Sequence, residues 1–211
     1  MEPTKPNTLE TTQEEKPKLS RKAITTIAVA IIVVIVAGLA VYFVRQNGSN
    51  NADELIAKAD MEQNDSIALN LYKEAAQAGY ASGNRAKAEV AIRLYRDGKY
   101  ADALTYLDDA SADDEIVAAG ILSLKGDCLV NLDRTDEALA AYDKAIKNAN
   151  ENPALVPMIL IKKANIYRAQ NKFAEEFDAY NTIINEYPKF VQSSQTDIRK
   201  YYERARIAAG K

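Results

Sequence analysis

Between residues 23 and 44 the chain is apolar throughout and carries no charge. From residue 52 onward the pattern changes. Apolar positions recur three and four residues apart, the spacing of one helix face, and no stretch alternates as a half-buried strand does. The pattern predicts one apolar helix followed by a series of amphipathic helices.

The helices are marked by a repeated stripe. In DEALAAYDKA, Ala138, Tyr142 and Ala145 fall on one face as small, large, small. Ala103, Leu107 and Ala110 repeat the stripe upstream, and Ala68, Tyr72 and Ala75 repeat it again. Glu176, Tyr180 and Ile183 form a fourth copy, with Glu176 where the others have Ala. A preceding helix carries a small residue ahead of three of the stripes, at Ala91, Gly126 and Ala164, while Ile56 holds that place in the first copy. Turn formers separate the two helices of each pair: Asn64, Asp65 and Ser66; Asp97, Gly98 and Lys99; Asp133, Arg134 and Thr135; Gln170, Asn171 and Lys172. Small residues on a helix face let a second helix approach closely, so the stripes predict tightly stacked helix pairs. Recurrence at a fixed period makes this a repeat architecture.

These residues resemble the tetratricopeptide-repeat family, which stacks 34-residue helix–turn–helix units. The second unit carries the family's small residue, turn Gly, aromatic and Ala–large–Ala stripe at Ala91, Gly98, Tyr100, Ala103, Leu107 and Ala110. The third carries Gly126, Ala138, Tyr142 and Ala145; the fourth carries Ala164, Phe173, Tyr180 and Pro188. The family's Trp is absent, and Leu122 and Leu160 stand in its place. The resemblance implies an all-α solenoid of four helix pairs over residues 52–189. Residues 190–211 form a capping helix that presents Ile198, Tyr201, Tyr202 and Ala205 on one face, with Thr196 as its N-cap.

Residues 23–44 are long enough, at about 33 Å as a helix, to cross roughly 30 Å of hydrocarbon. A cleaved signal peptide would end near Gly38, Leu39 and Ala40, but an apolar VYFV follows directly, so the segment reads as an uncleaved signal anchor. Residues 1–22 are polar and Pro-containing and read as a disordered tail. Their Lys5, Lys16, Lys18, Arg21 and Lys22 outweigh Arg45 and Lys58 after the segment. By the positive-inside rule the N-terminus stays in the cytoplasm and the C-terminal domain is periplasmic or otherwise extracytoplasmic, on the inner (plasma) membrane. Residues 45–51 read as a polar linker.

Composition narrows the function. The sequence has no His and one Cys, which leaves no imidazole base, no disulfide within the chain and no Cys/His metal site. The formal net charge is −3 and no basic patch suits nucleic acid. No Gly-rich phosphate loop is present. The expectation is a binding protein rather than an enzyme, with no cofactor, no metal and no small-molecule substrate. The acidic run DDASADDE, residues 108–115, lacks the spacing and central Gly of an EF-hand and reads as a solvated loop leading into a helix. Cys128 reads as a buried structural residue.

In the resembled family, first-helix positions line a concave groove that binds protein segments. Carried over, the groove holds Arg85, Ala88, Ile92, Tyr95 and Arg96 in the second unit. It holds Gly120, Ser123, Asp127, Val130 and Asn131 in the third, and Met158, Ile161, Asn165, Arg168 and Ala169 in the fourth. The implied partner is a protein or peptide in that groove, although solenoids also bind along their ridges. The whole-chain order resembles the YfgM-type ancillary subunits of the Sec translocon, which implies a scaffold for a periplasmic chaperone or an emerging polypeptide. Two other readings stay open: a structural subunit of another envelope assembly, or an organelle import receptor facing the cytosol.

Overall fold

The computed structural model describes residues 21–78 and 81–211, and among these it contains helices and no strand. The polar tail 1–22 lies outside the described residues except for Arg21 and Lys22, which begin helix α1 (Arg21–Met61). The chain divides into two units, residues 1–44 and 45–211. The described part of the first is the apolar stretch of α1, with the Ile and Val side chains from Ile27 to Val44 exposed, long and apolar enough to cross a membrane.

The second unit begins with the rest of α1. Residues 46–51, read in the sequence as a turn-rich linker, are helical. Their polar side chains find partners there: Gln46 Nε2 donates to Asn50 Oδ1 at 3.3 Å, and the Ser49 hydroxyl meets that of Ser82 at 3.1 Å. One turn further on, Ala52, Ile56 and Ala59 are buried.

Eight further α-helices follow, α2 (Asp65–Ala75), α3 (Ala81–Arg96), α4 (Tyr100–Asp108), α5 (Glu115–Asn131), α6 (Thr135–Asn148), α7 (Leu155–Ala169), α8 (Phe173–Glu186) and α9 (Pro188–Ser193), then α10 (Ile198–Ala208). Consecutive helices from α2 to α8 pack on one another, and α10 packs on α8. Three of the turns are built alike. Gly98, Asp133 and Asn171 take left-handed conformations with φ of 75°, 58° and 57°. The next amide in each, Lys99, Arg134 or Lys172, bonds back to Leu94, Leu129 or Tyr167 at 2.8–2.9 Å. This closes the end of the first helix in Schellman geometry, which favours Gly and tolerates Asn or Asp. Side-chain oxygens hold the starts of α2, α5 and α7. Asn64 accepts from Ser66 and Ile67, Asp114 from Ile116 and Val117, and Asn152 from Ala154 and Leu155.

The stripes form the seams. Ala68, Tyr72 and Ala75; Ala103 and Leu107; Ala138, Tyr142 and Ala145; and Glu176, Tyr180 and Ile183 are all buried. Ala110 is the exception, because α4 ends at Asp108 and leaves it in the following loop, half-buried. The small residues of the first helices are as tightly held. A methyl added at Gly126 would sit 2.6 Å from Tyr142 Cδ1, so the Tyr142 ring lies directly on the α5 backbone.

Glu176 departs from the small–large–small rule and is only 1% exposed. Arg204 of α10 pairs with it, and Lys211 pairs with Asp178 at 2.9 Å. Burial pushes the Glu176 carboxyl above the usual carboxylate range, and the Arg168 charge pulls it partly back. Around this pair, Tyr201 stacks on Tyr180 at 6.0 Å and Tyr202 meets Phe177 at 5.3 Å, while Ile198 and Ala205 are buried. The face expected of the last helix is therefore the one that covers α8. Its cap differs: Thr196 stays outside the helix, and the Asp197 carboxylate accepts from the Lys200 amide instead, because Asp197 sits directly before the first helical residue. Residues 190–211 also hold two helices, the end of α9 and α10, rather than one.

Overpacking a seam carries a definite cost. Ala138→Leu should lower unfolding free energy by about 1–3 kcal/mol, and Gly126→Ala should do the same because the Tyr142 ring has nowhere to move. Chemical denaturation of the two variants against wild type measures both; unchanged midpoints would contradict the seam geometry.

Candidate functional site

The candidate binding residues lie on the first helices α3, α5 and α7, and the structure sorts them into two groups. The first group is committed to the fold. Asp127, expected to face a partner, accepts from the Tyr142 hydroxyl at 2.6 Å and from Lys162 Nζ at 2.6 Å. Lys162 also donates to the Ser123 hydroxyl at 3.0 Å. Tyr142 comes from α6 and Lys162 from α7, so one carboxylate on α5 ties three successive helices. Its two oxygens are satisfied, which is what a half-buried carboxylate requires. Both oxygens of Asp127 thus serve the seam. Ile92 and Ile161 are half-buried, and Ile161 packs against the cluster of α8 and α10.

The same arrangement occurs in the first pair. The Tyr72 hydroxyl donates to Asp60, and Arg85 Nη2 reaches the other oxygen of that carboxylate at 3.3 Å. Arg93 lies 4.1 Å over the Tyr72 ring and pairs with Glu89 at 2.6 Å. In both places a stripe Tyr donates to an Asp of its own pair, and a cation from the next first helix completes the site. Arg85, one of the expected groove residues, therefore has an internal partner, though its side chain stays largely exposed.

The second group is more exposed, although the Arg168 charge also acts on buried Glu176. Arg96, Asn165 and Arg168 are exposed at the surface of α3 and α7, and Asn131 is exposed on α5. Asn131 donates from Nδ2 to the Asp127 carbonyl at 2.8 Å and bonds the half-buried Tyr95. Tyr95 packs edge-on against Tyr100 with ring centroids 5.3 Å apart. Burial and the Asp127 charge push the Tyr95 hydroxyl pKa up, and the Asn131 bond eases it, so Tyr95 is a neutral hydrogen-bonding group. Chemically this row offers arginine forks for carboxylates and amides that bond a peptide backbone on both its donor and acceptor sides. It offers no nucleophile paired with a base.

Three members of the acidic run 108–115 have partners within the fold: Asp108 pairs with Lys125, Asp114 caps α5, and Glu115 accepts from Asn150 at 3.3 Å. Among the described residues no group of His, Cys, Asp and Glu is placed to hold a metal ion. Cys128 is buried, and burial followed by the Asp127 charge raises its thiol pKa to about 11.

Sequence reasoning missed Lys162. Its only signal was its place two residues before Ala164, the small residue of the fourth unit, which the groove positions do not include. Set against protein-family models and against curated proteins, the chain matches none of them.

Two outcomes follow from the Asp127 site. Asp127→Ala strands Lys162 and the Tyr142 hydroxyl and should cost about 1–3 kcal/mol of stability, more than Asp127→Asn, which keeps an acceptor. The buried hydroxyls also set an alkaline limit. Burial raises the pKa of Tyr142, and raises those of Cys128 to about 11 and Tyr180 to about 12, so the folded chain keeps protons that the unfolded chain releases. Stability should hold below the ordinary thiol and phenol pKa values and fall as pH rises through 9 and beyond, reaching its full loss only above the raised values. Denaturation at stepped pH, with Cys128 labelling as a second readout, checks this; native Cys128 that labels freely at pH 8 would contradict it.

Proposed function

We propose that the chain is a membrane-anchored scaffold of the tetratricopeptide-repeat type, which holds a protein or peptide segment against α3, α5 and α7 outside the cytoplasm. The observation that carries this reading is the row of exposed Arg96, Asn131, Asn165 and Arg168 on three successive first helices, beside Tyr95. Long arginines and amides held on rigid helices suit recognition of a polypeptide.

The turns and seams support the repeat assignment. Pairs of helices close with the same left-handed turn at Gly98, Asp133 and Asn171, and stack through the same stripe. The apolar stretch of α1 supports the anchor, and the basic excess before it supports export of the rest. Tethering would raise the local concentration of the binding row at the membrane. With the order of anchor and repeats, this favours a partner met at the translocon exit, a chaperone or an emerging chain, as in the YfgM-type subunits that the sequence resembles. The absence of His and of any nucleophile–base pair among these residues fits binding rather than catalysis.

A photocrosslinking amino acid placed at Tyr95 or Arg168 should capture a protein, whereas one at Lys144, exposed on α6, should not. Capture at Lys144 alone would move the binding surface to the ridge. An alkaline phosphatase fused after Lys211 should be active in an export-dependent way; an inactive fusion with a folded domain would reverse the orientation.

A further inference from the structure

Two exposed surfaces remain beyond the seams and the exposed Arg96, Asn131, Asn165 and Arg168, the first of them including the groove positions Gly120 and Met158. The first lies at the start of α5 and α7. Ile116 and Val117 are 55% and 51% exposed, and Met158 is 51% exposed. Gly120 follows Ile116 by four residues and Val117 by three, so all three share one helix face. Helices α5 and α7 run side by side in the same direction, since Ala119 packs in one cluster with Val156 and, further along, Ser123 and Asp127 meet Lys162. Gly120 and Met158 each lie one turn before those contacts. Ile116, Val117, Gly120 and Met158 therefore form one apolar strip, and exposed Asp113 and Glu115 stand at the N-terminal end of its α5.

Gly120 is telling. A methyl built there meets nothing within 4 Å, so no neighbour in the chain requires a glycine. Glycine weakens a helix interior, and its use here leaves bare backbone for another element to approach closely.

The second surface is the outer side of α10. Its inner side, Ile198, Tyr201, Tyr202 and Ala205, covers α8, and Arg204 and Lys211 are held by Glu176 and Asp178. Facing outward are Arg199 and Lys200, both exposed, the Glu203–Arg206 pair, and Ile207, which is 71% exposed. An aliphatic side chain flanked by cations is the complement of an aliphatic strip with carboxylates at one end. The wider charge agrees. Residues 188–211 hold six basic and two acidic side chains, whereas residues 46–187 hold 15 basic and 24 acidic.

We propose that the outer face of α10 in one copy of this chain docks on the Ile116–Val117–Gly120–Met158 strip of a second copy. Within one chain the docking is closed off, because α10 is clamped to α8 by two ion pairs and two ring contacts. Pairing two like surfaces would set acid against acid or base against base. The contact is therefore head-to-tail, each copy keeps one free surface of each kind, and the association extends or closes into a ring.

The test uses the full chain in mild detergent, where buried Cys128 is silent to mild oxidation. Ile116→Cys protein mixed with Ile207→Cys protein should give a disulfide-linked dimer, and the chain carrying both substitutions should give a ladder. Adding Arg199→Glu and Lys200→Glu should reduce the yield about ten-fold, and Asp113→Lys with Glu115→Lys in the other copy should restore it. All these positions are exposed, and a circular dichroism spectrum of each variant checks that its helices are kept. No more product from the mixture than from either variant alone overturns the proposal, as does a yield indifferent to the charge reversals. A failure here leaves the partner-binding row of α3, α5 and α7 untouched, since photocrosslinking from Tyr95 reads that surface separately.

Discussion

The fold of residues 45–211 turns on how closely a tyrosine ring can lie on a neighbouring helix. Tyr142 rests where Gly126 offers no Cβ, and Ala138 and Ala145 on its own helix leave room for the helices on either side. Larger residues at any of these places would force the helices apart. Because dispersion falls steeply with separation, a gap of even 1 Å would forfeit much of the contact. The stripe is thus a spacing device, and each copy sets the distance between one helix pair and the next.

Burying a tyrosine brings a hydroxyl with it, and the chain answers with carboxylates. Asp60 receives Tyr72, and Asp127 receives Tyr142. Each carboxylate needs a compensating charge, which the following first helix supplies through Arg85 or Lys162. At the last stripe the logic is inverted. Tyr180 stacks on a tyrosine, and the acid moves onto the stripe itself as Glu176, which draws Arg204 and thereby α10 onto the edge of α8. Packing needs have in this way absorbed the ionic groups nearest the seams. Arg96, Asn165 and Arg168 stay exposed outside the seams.

Much of this was legible in the sequence because it depends on local chemistry. The stripe residues are nearly all buried, and the turn positions were visible because only a few residue types accept a left-handed conformation. The apolar run was equally plain. What escaped were features settled by a distant unit. Residues 46–51 look like a linker by composition, yet Ser49 finds Ser82 across the first seam and the segment stays helical. Asp127 looks like a ligand for a partner until Lys162, 35 residues on, takes its second oxygen. Glu176 looks like a flaw in the repeat until Arg204 is seen beside it. In each case a polar residue's role is set by a helix further along the chain, which no local pattern contains.

The central claim is that successive helix pairs are tied through Tyr142, Asp127 and Lys162 acting as one unit. A double-mutant cycle on unfolding free energy with Tyr142→Phe and Lys162→Met tests it most directly. The account predicts that the two changes couple by about 0.5–3 kcal/mol, because Asp127 keeps one partner in either single variant and none in the double. Additive effects, within about 0.5 kcal/mol, would contradict it and reduce the tie to two unrelated contacts.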